Sequence, residues 1–251
     1  MSPWPYPYWL AHRGAGKHAP ENTLAAFRLG AAHGYRAFEC DVKLSADGVP
    51  FLLHDATLQR TTNGHDLAGE RLWDELAQLD AGAWHSPAYT GEPLPRLNEV
   101  AAWVQAEGCC LNVEIKPTPG TEAATGAAVA TACARLWAGA AVPPLLSSFS
   151  EAALQAAQAA APALPRALLL DALPPDPVAR ARALGCVAVI TQHRLMDGAL
   201  CTSLHAAGLR ALCYTVNDEA DVQRLQALGV DGLITDAVDR HPPVEPQRPG
   251  R

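Results

Sequence analysis

No stretch of this chain offers the roughly 20 charge-free apolar residues that a bilayer span needs. Its amino terminus, "MSPWPYPYWLAHRG", lacks the basic start, long apolar run and small-residue cleavage site of an export signal. The two absences predict a soluble, cytoplasmic protein with no stable membrane association. Basic residues are few: 19 Lys and Arg against 26 acids leave a net charge of -7. That excludes a broad electrostatic footprint for nucleic acid and leaves room for no more than a small basic pocket. The seven cysteines never fall in paired CxxC spacing, so they read as reduced thiols acting as small apolar residues.

What is present is a 251-residue chain, 49% hydrophobic, enough for one large core. Nine short runs have strand character: "YWLAHR", "AFECDV", "VPFLLH", "CLNVEIK", "PLLSS", "RALLL", "VAVIT", "RALCYTV" and "DGLIT". Most are followed by Ala-rich helical stretches such as "ENTLAAFRLGAAHG", "SEAALQAAQAAAP" and "DEADVQRLQALG", with Ser150 and Asn217 as candidate amino caps. Alternating strand and helix predicts parallel strands covered by helices.

"LSADGVPF" is too short for the crossover of roughly a dozen residues that parallel neighbours need. The second and third runs therefore form an antiparallel hairpin around Asp47 and Gly48, leaving eight parallel strands. Length and count predict a (β/α)8 TIM barrel with a small insertion after the second strand. An open doubly wound sheet is the rival, weakened because no glycine-rich fingerprint follows the first strand. On this reading residues 1–251 are one domain, 46–98 are hairpin and insertion over the barrel mouth, and 240–251 are a flexible tail.

Side chains alternate along a strand, so Glu39 and Asp41 share a face, as do Glu114 and Lys116 in "NVEIK". Like charges gathered in a barrel need a cation or a proton. Three converging carboxylates suit a hard divalent metal, Mg²⁺ or Ca²⁺, better than zinc or copper. The competing reading is a structural ion network in which Glu39 or Glu114 pairs with Lys43, Lys116 or an arginine. His12 and His54 close strand runs, where an imidazole can move protons at neutral pH. Arg13 and Lys116 offer a planar fork and a point charge suited to phosphate, or to an acid. The other histidines read as surface or capping residues, with His65 and His85 set apart because the insertion can cover the site. The aromatic run "PWPYPYW" reads as a plug at the bottom of the barrel.

The segments "HRGAGKHAPENT", "ECDVKLSADGVPFLLHDATLQRTTNG", "NVEIK", "SSF", "YTVN" and "DGLITD", in this order across residues 11–236, resemble the glycerophosphodiester phosphodiesterases. The resemblance implies a (β/α)8 barrel that hydrolyses a glycerophosphodiester to sn-glycerol 3-phosphate and an alcohol with a divalent metal. Carried over by motif, Glu39, Asp41 and Glu114 bind the metal, His12 and His54 are the acid/base pair, and Arg13 and Lys116 contact phosphate. Tyr214 stands where many members carry tryptophan and serves as the aromatic wall. The implied partner is a small-molecule glycerophosphodiester, with oligomeric state open. A lysophospholipid or phosphoinositide phosphodiesterase and a non-catalytic phosphate-ligand binder are the alternatives.

Overall fold

The computed structural model describes residues 4–243. Its strands are β1 (Trp9–Ala11), β2 (Ala37–Leu44), β3 (Pro50–Leu52), β4 (Cys110–Ile115), β5 (Leu145–Ser148), β6 (Arg166–Leu170), β7 (Ala188–Gln192), β8 (Arg210–Tyr214) and β9 (Gly232–Thr235). The helices are α1 (Leu24–Ala32), α2 (Trp73–Leu76), α3 (Leu97–Ala106), α4 (Glu122–Leu136), α5 (Glu151–Ala160), α6 (Pro177–Ala183), α7 (Gly198–Ala206) and α8 (Glu219–Leu228). Every strand-like run in the sequence is thus a strand. All except β3 run parallel, in the order β1-β9-β8-β7-β6-β5-β4-β2, and a β1 to β2 pairing closes the (β/α)8 barrel.

The hairpin is where the loop length requires it. Gly48, at φ 79°, takes the left-handed turn position, and β3 pairs antiparallel with Val42, Lys43 and Leu44. β1 meets the same edge of β2 lower down, through the pair Ala11 and Phe38. The arm runs back down alongside β2, Leu53 N–H donating to the Asp41 carbonyl at 3.1 Å, so His54 arrives beside the acids.

Alternation sorts the strand residues. Phe38, Cys40 and Val42 point outward into the core between sheet and helices, where burial drives packing. Leu10, Ala37, Leu145, Ala167, Ala188, Ile190, Leu212 and Ile234 fill the lower interior, packed against Tyr6 and Trp4 from the aromatic run. Two residues further along the same faces lie His12, Glu39, Asn112, Ser147, Tyr214 and Asp236.

Residues 55–98 pack around their own small apolar centre of Leu58, Ala68, Leu76, Ala81 and Leu94, joined by Phe51 and Leu53 of the hairpin. Asp80 ties that segment together by accepting from the backbone N–H groups of Gly82, Ala83 and Gly91 at 2.8, 2.9 and 2.8 Å.

Two local expectations need correction. Ser150 caps α5, but α8 begins after Asp218, and Asn217 is drawn instead to Asp236. His241, expected in a surface tail, is buried: its ring stacks on Trp9 at 5.2 Å and its Nε2 lies 3.0 Å from the Asn217 carbonyl oxygen. The rest of the expected tail, residues 244–251, lies outside the described residues.

Candidate active site

The carboxyl ends of β1, β2 and β4, the arm after β3 and the loops after β5, β6 and β8 enclose a cavity of 280 Å³. His12, Arg13, Glu39, His54, Glu114, Lys116 and Tyr214 line it, together with Asn112, Ser147, Phe149 and Leu169. Asp41 lies beneath this lining, 1% exposed. A second hollow of 470 Å³ adjoins it and shares His54, Glu114, Lys116 and Phe149.

Strand register creates the acidic cluster. Asp41 pairs with Glu114 and Glu39 with Asn112 across the β2 to β4 ladder, so the inward acids sit side by side. Carboxylate oxygens of Glu39, Asp41 and Glu114 lie within 4.8 Å of one another. Two cations partly balance them. Lys116 Nζ is 2.8 Å from Glu114 and 3.4 Å from Asp41. Arg13 donates its backbone N–H to Glu39 at 3.2 Å and sets Nε 3.2 Å from Asp41, without aiming that N–H at the oxygen.

Three acids against two cations leave a deficit that the titration behaviour reflects. Burial first, then repulsion from Asp41 and Glu114, pushes the Glu39 carboxyl well above its ordinary value. Burial and Asp41 raise Glu114 to about 7 despite Lys116. Asp41 goes the other way: burial would raise it, but Arg13 and Lys116 outweigh that and hold it well below the carboxylate range. Asn22 adds two hydrogen bonds, its Nδ2 donating to Asp41 Oδ2 at 2.8 Å while its Oδ1 accepts from Asp41 N–H at 3.0 Å. Asn22 does so at φ 60°, a left-handed conformation that asparagine tolerates better than most residues.

These acids offer a cation a suitable place. All the donors are hard oxygens, and Glu39 Oε1 is buried with no hydrogen-bond partner among the described residues. Lys43, the other candidate counter-charge, donates to the Lys116 carbonyl oxygen at 3.1 Å instead, and burial lowers it to about 8.

The two histidines are mounted alike. His12 Nδ1 is 2.7 Å from Asp236 Oδ1, and His54 Nδ1 is 2.7 Å from Asp55 Oδ1. A carboxylate on Nδ1 fixes that nitrogen as the protonated one and leaves Nε2 for the cavity. Asp236 is itself braced by Asn217, which donates at 3.1 Å and accepts the Asp236 N–H at 2.9 Å. Gly16 lets the loop after β1 press against this brace: a Cβ there would sit 2.2 Å from the Asp236 backbone. Burial lowers the His54 imidazole, the attraction of Asp41 offsetting this in part.

All eight candidate site residues therefore gather in one place, and neither His65 nor His85 lines the cavity. Cys40 faces away, as alternation requires. Sequence reading missed the supporting residues Asn22, Glu21, Arg60, Asn217 and Asp236. It also missed Asn112 and Ser147, whose side-chain polar atoms line the cavity buried and without partners among the described residues. Asn112 was within reach, since it shares a strand face with Glu114 in "NVEIK".

Comparison with known proteins identifies the family. The model of the glycerophosphoryl diester phosphodiesterase family matches residues 12–240. A glycerophosphodiester phosphodiesterase of Caldanaerobacter subterraneus is 30% identical over 90% of this chain and 93% of its own. Among solved structures, an Oleispira antarctica phosphodiesterase in complex with the product sn-glycerol-3-phosphate superposes with a TM-score of 0.87, at 35% identity over 95% of this chain and 94% of that one. A glycerophosphodiester phosphodiesterase from Agrobacterium tumefaciens gives 0.77, at 29% identity over 92% and 98%. With the family model matching nearly the whole chain, hairpin and insertion included, this chain belongs to the glycerophosphoryl diester phosphodiesterase family.

Proposed function

We propose that this protein hydrolyses glycerophosphodiesters to sn-glycerol 3-phosphate and an alcohol, using Glu39, Asp41 and Glu114 as metal ligands and His12 and His54 as the proton-transfer pair. The observation that carries the reading is the placement of two aspartate-backed imidazoles on the same cavity as the acidic triad. A phosphodiester is anionic and resists attack, so its site has to balance charge, deprotonate a nucleophile and protonate a leaving alkoxide. Glu39, Asp41 and Glu114 would hold Mg²⁺ or Ca²⁺, which would supply positive charge to the phosphate and acidify a hydroxyl beside it.

The protein's own groups supply the rest. Arg13 spends Nη1 on Glu21 at 2.9 Å and keeps Nη2 without a protein acceptor among the described residues, free for a phosphate oxygen. Lys116, 5.5 Å from the Phe149 ring centroid, takes a second oxygen. His12 Nε2 accepts the proton of the glycerol 2-hydroxyl or of water, and Asp236 stabilises the resulting imidazolium as the new P–O bond forms. His54 Nε2 gives its proton to the departing alcohol oxygen as the old P–O bond breaks, and its lowered pKa makes its protonated form a stronger acid than free imidazole. If the 2-hydroxyl attacks, the first product is a cyclic phosphate; water opens it with the histidine roles exchanged. Phe149 and Tyr214, 5.8 Å apart edge to face, line the carbon skeleton, and the adjoining hollow receives the alcohol.

The test is release of glycerol 3-phosphate from a panel of diesters with choline, ethanolamine, inositol or lysophospholipid leaving groups, each with Mg²⁺, Ca²⁺ or chelator. Metal-dependent product from soluble diesters is expected. Tight binding without product overturns catalysis in favour of a phosphate-ligand binder, and turnover confined to lysophospholipid overturns the substrate class.

A further inference from the structure

Arg60 belongs to the inserted segment and does not line the cavity, yet its guanidinium is gripped on two edges. Nε and Nη2 donate to Asp55 Oδ2 and Oδ1 at 2.6 and 3.0 Å. Nη1 and Nη2 donate to Glu21 Oε2 and Oε1 at 2.8 Å each. Each of these carboxylates holds one cavity residue in turn: Asp55 Oδ1 holds His54 Nδ1 at 2.7 Å, and Glu21 Oε1 holds Arg13 Nη1 at 2.9 Å. The result is an unbroken row, His54, Asp55, Arg60, Glu21, Arg13, in which N–H donors and carboxylate acceptors alternate.

An exposed ion pair contributes little to stability, and Arg60 keeps 42% of its side chain in solvent. Two bidentate grips on one planar group do something else: they fix the relative orientation of both partners. We propose that Arg60 is a positioning residue that sets His54 and Arg13 in register with each other, so that proton transfer and phosphate grip are aligned by one side chain from the insertion. The inference rests on the roles of His54 and Arg13 given under the proposed function. Lysine cannot replace it, because an ammonium has no fork with which to hold two carboxylates.

The row predicts a joint defect. Loss of Arg60 frees Asp55 to turn the His54 ring and frees Glu21 to draw Arg13 away from the phosphate. Misalignment of about 1 Å is enough for a loss of roughly 10² in rate. Arg60→Ala and Arg60→Lys are compared with the unaltered, metal-loaded protein on glycerophosphocholine, following kcat, KM and melting temperature, with and without a low millimolar guanidinium salt. Both variants should lower kcat by about 10-fold to 100-fold and raise KM severalfold, with little change in melting temperature. Added guanidinium, which fits the vacated fork, should recover part of both parameters in Arg60→Ala, while sodium chloride at equal ionic strength should not. In a His54→Ala background, Arg60→Ala should still raise KM but lower kcat no further.

Unchanged kcat and KM in Arg60→Ala overturns the inference, as does a loss that follows a fall in melting temperature and resists guanidinium. Failure of the underlying reading looks different: His54→Ala and Arg13→Ala, with Arg60 intact, would then retain full activity.

Discussion

On one side of the cavity β1, β2 and β4 present His12, Glu39 and Glu114, with Asp41 beneath; on the other, the region of β6 and β8 presents Leu169 and Tyr214, with Phe149 from the loop after β5. The apolar side continues the packing of the lower barrel, and its residues need only the right size and the right face. The charged side cannot be built that way, because buried carboxylates and imidazoles are costly unless each finds a partner. Those partners come from Asn22, Asp55, Glu21, Asn217 and Asp236, none of which lies in the strand it supports. One wall is thus made by strand pattern alone, and the other needs partners from outside its strands, from as near as Asp55 to as far as Asp236.

The comparison predicts unequal damage. On the charged side, Glu39→Ala and Asp41→Ala should each lower kcat by about 10² to 10³, and excess chelator should abolish turnover until Mg²⁺ or Ca²⁺ is restored. Full turnover in chelator would sink the metal assignment. His12→Ala and His54→Ala should each cost about 10² in kcat while titration calorimetry still detects substrate binding. A pH–rate profile left unchanged in both variants would count against them as the proton carriers.

On the apolar side, Phe149→Ala should cost about 3-fold to 10-fold in kcat/KM, most of it in KM, since one edge-to-face aromatic pair is worth about 1 kcal/mol. A loss as deep as that of Glu39→Ala would erase the distinction between the walls.

The smallest effect concerns acid stability. Asp55 is held at about 2 against an ordinary 3.8, first by hydrogen bonds from Arg60 and then by His54. The folded protein therefore favours its ionised form. That contribution is fully present above about pH 4 and is lost as pH falls through about 2. With 29% of the side chain exposed, screening keeps it below about 1 kcal/mol. Asp55→Asn should flatten the stability loss over that window by this amount in urea melts, and an unchanged slope would show that the pairing does not stabilise the fold.

The division between walls also explains what could be read from sequence. Strand runs, the forced hairpin and the shared face of Glu39 and Asp41 follow from period-two alternation and loop length, which are local facts. His12 and His54 were placed by standing at strand ends. The pairing of His12 with Asp236 spans 224 positions, and no window of sequence shows it. Asn217 illustrates the conflict: a local capping rule assigns it to the start of α8, but Asp236 offers its side chain both a donor and an acceptor, and tertiary structure wins. His241 shows the same conflict: its proline-rich surroundings suggest a surface tail, but its ring docks on Trp9.

The bond between His12 and Asp236 has a consequence for the life of the chain. The first strand leaves the ribosome early, but its imidazole has no carboxylate behind it until the ninth strand is made. A chain clipped before Asp236 would keep His12 and lose the carboxylate that its Nδ1 meets at 2.7 Å. The contact therefore joins the two ends of the barrel order, the segment after β1 and the segment after β9, and it can form only when both are present.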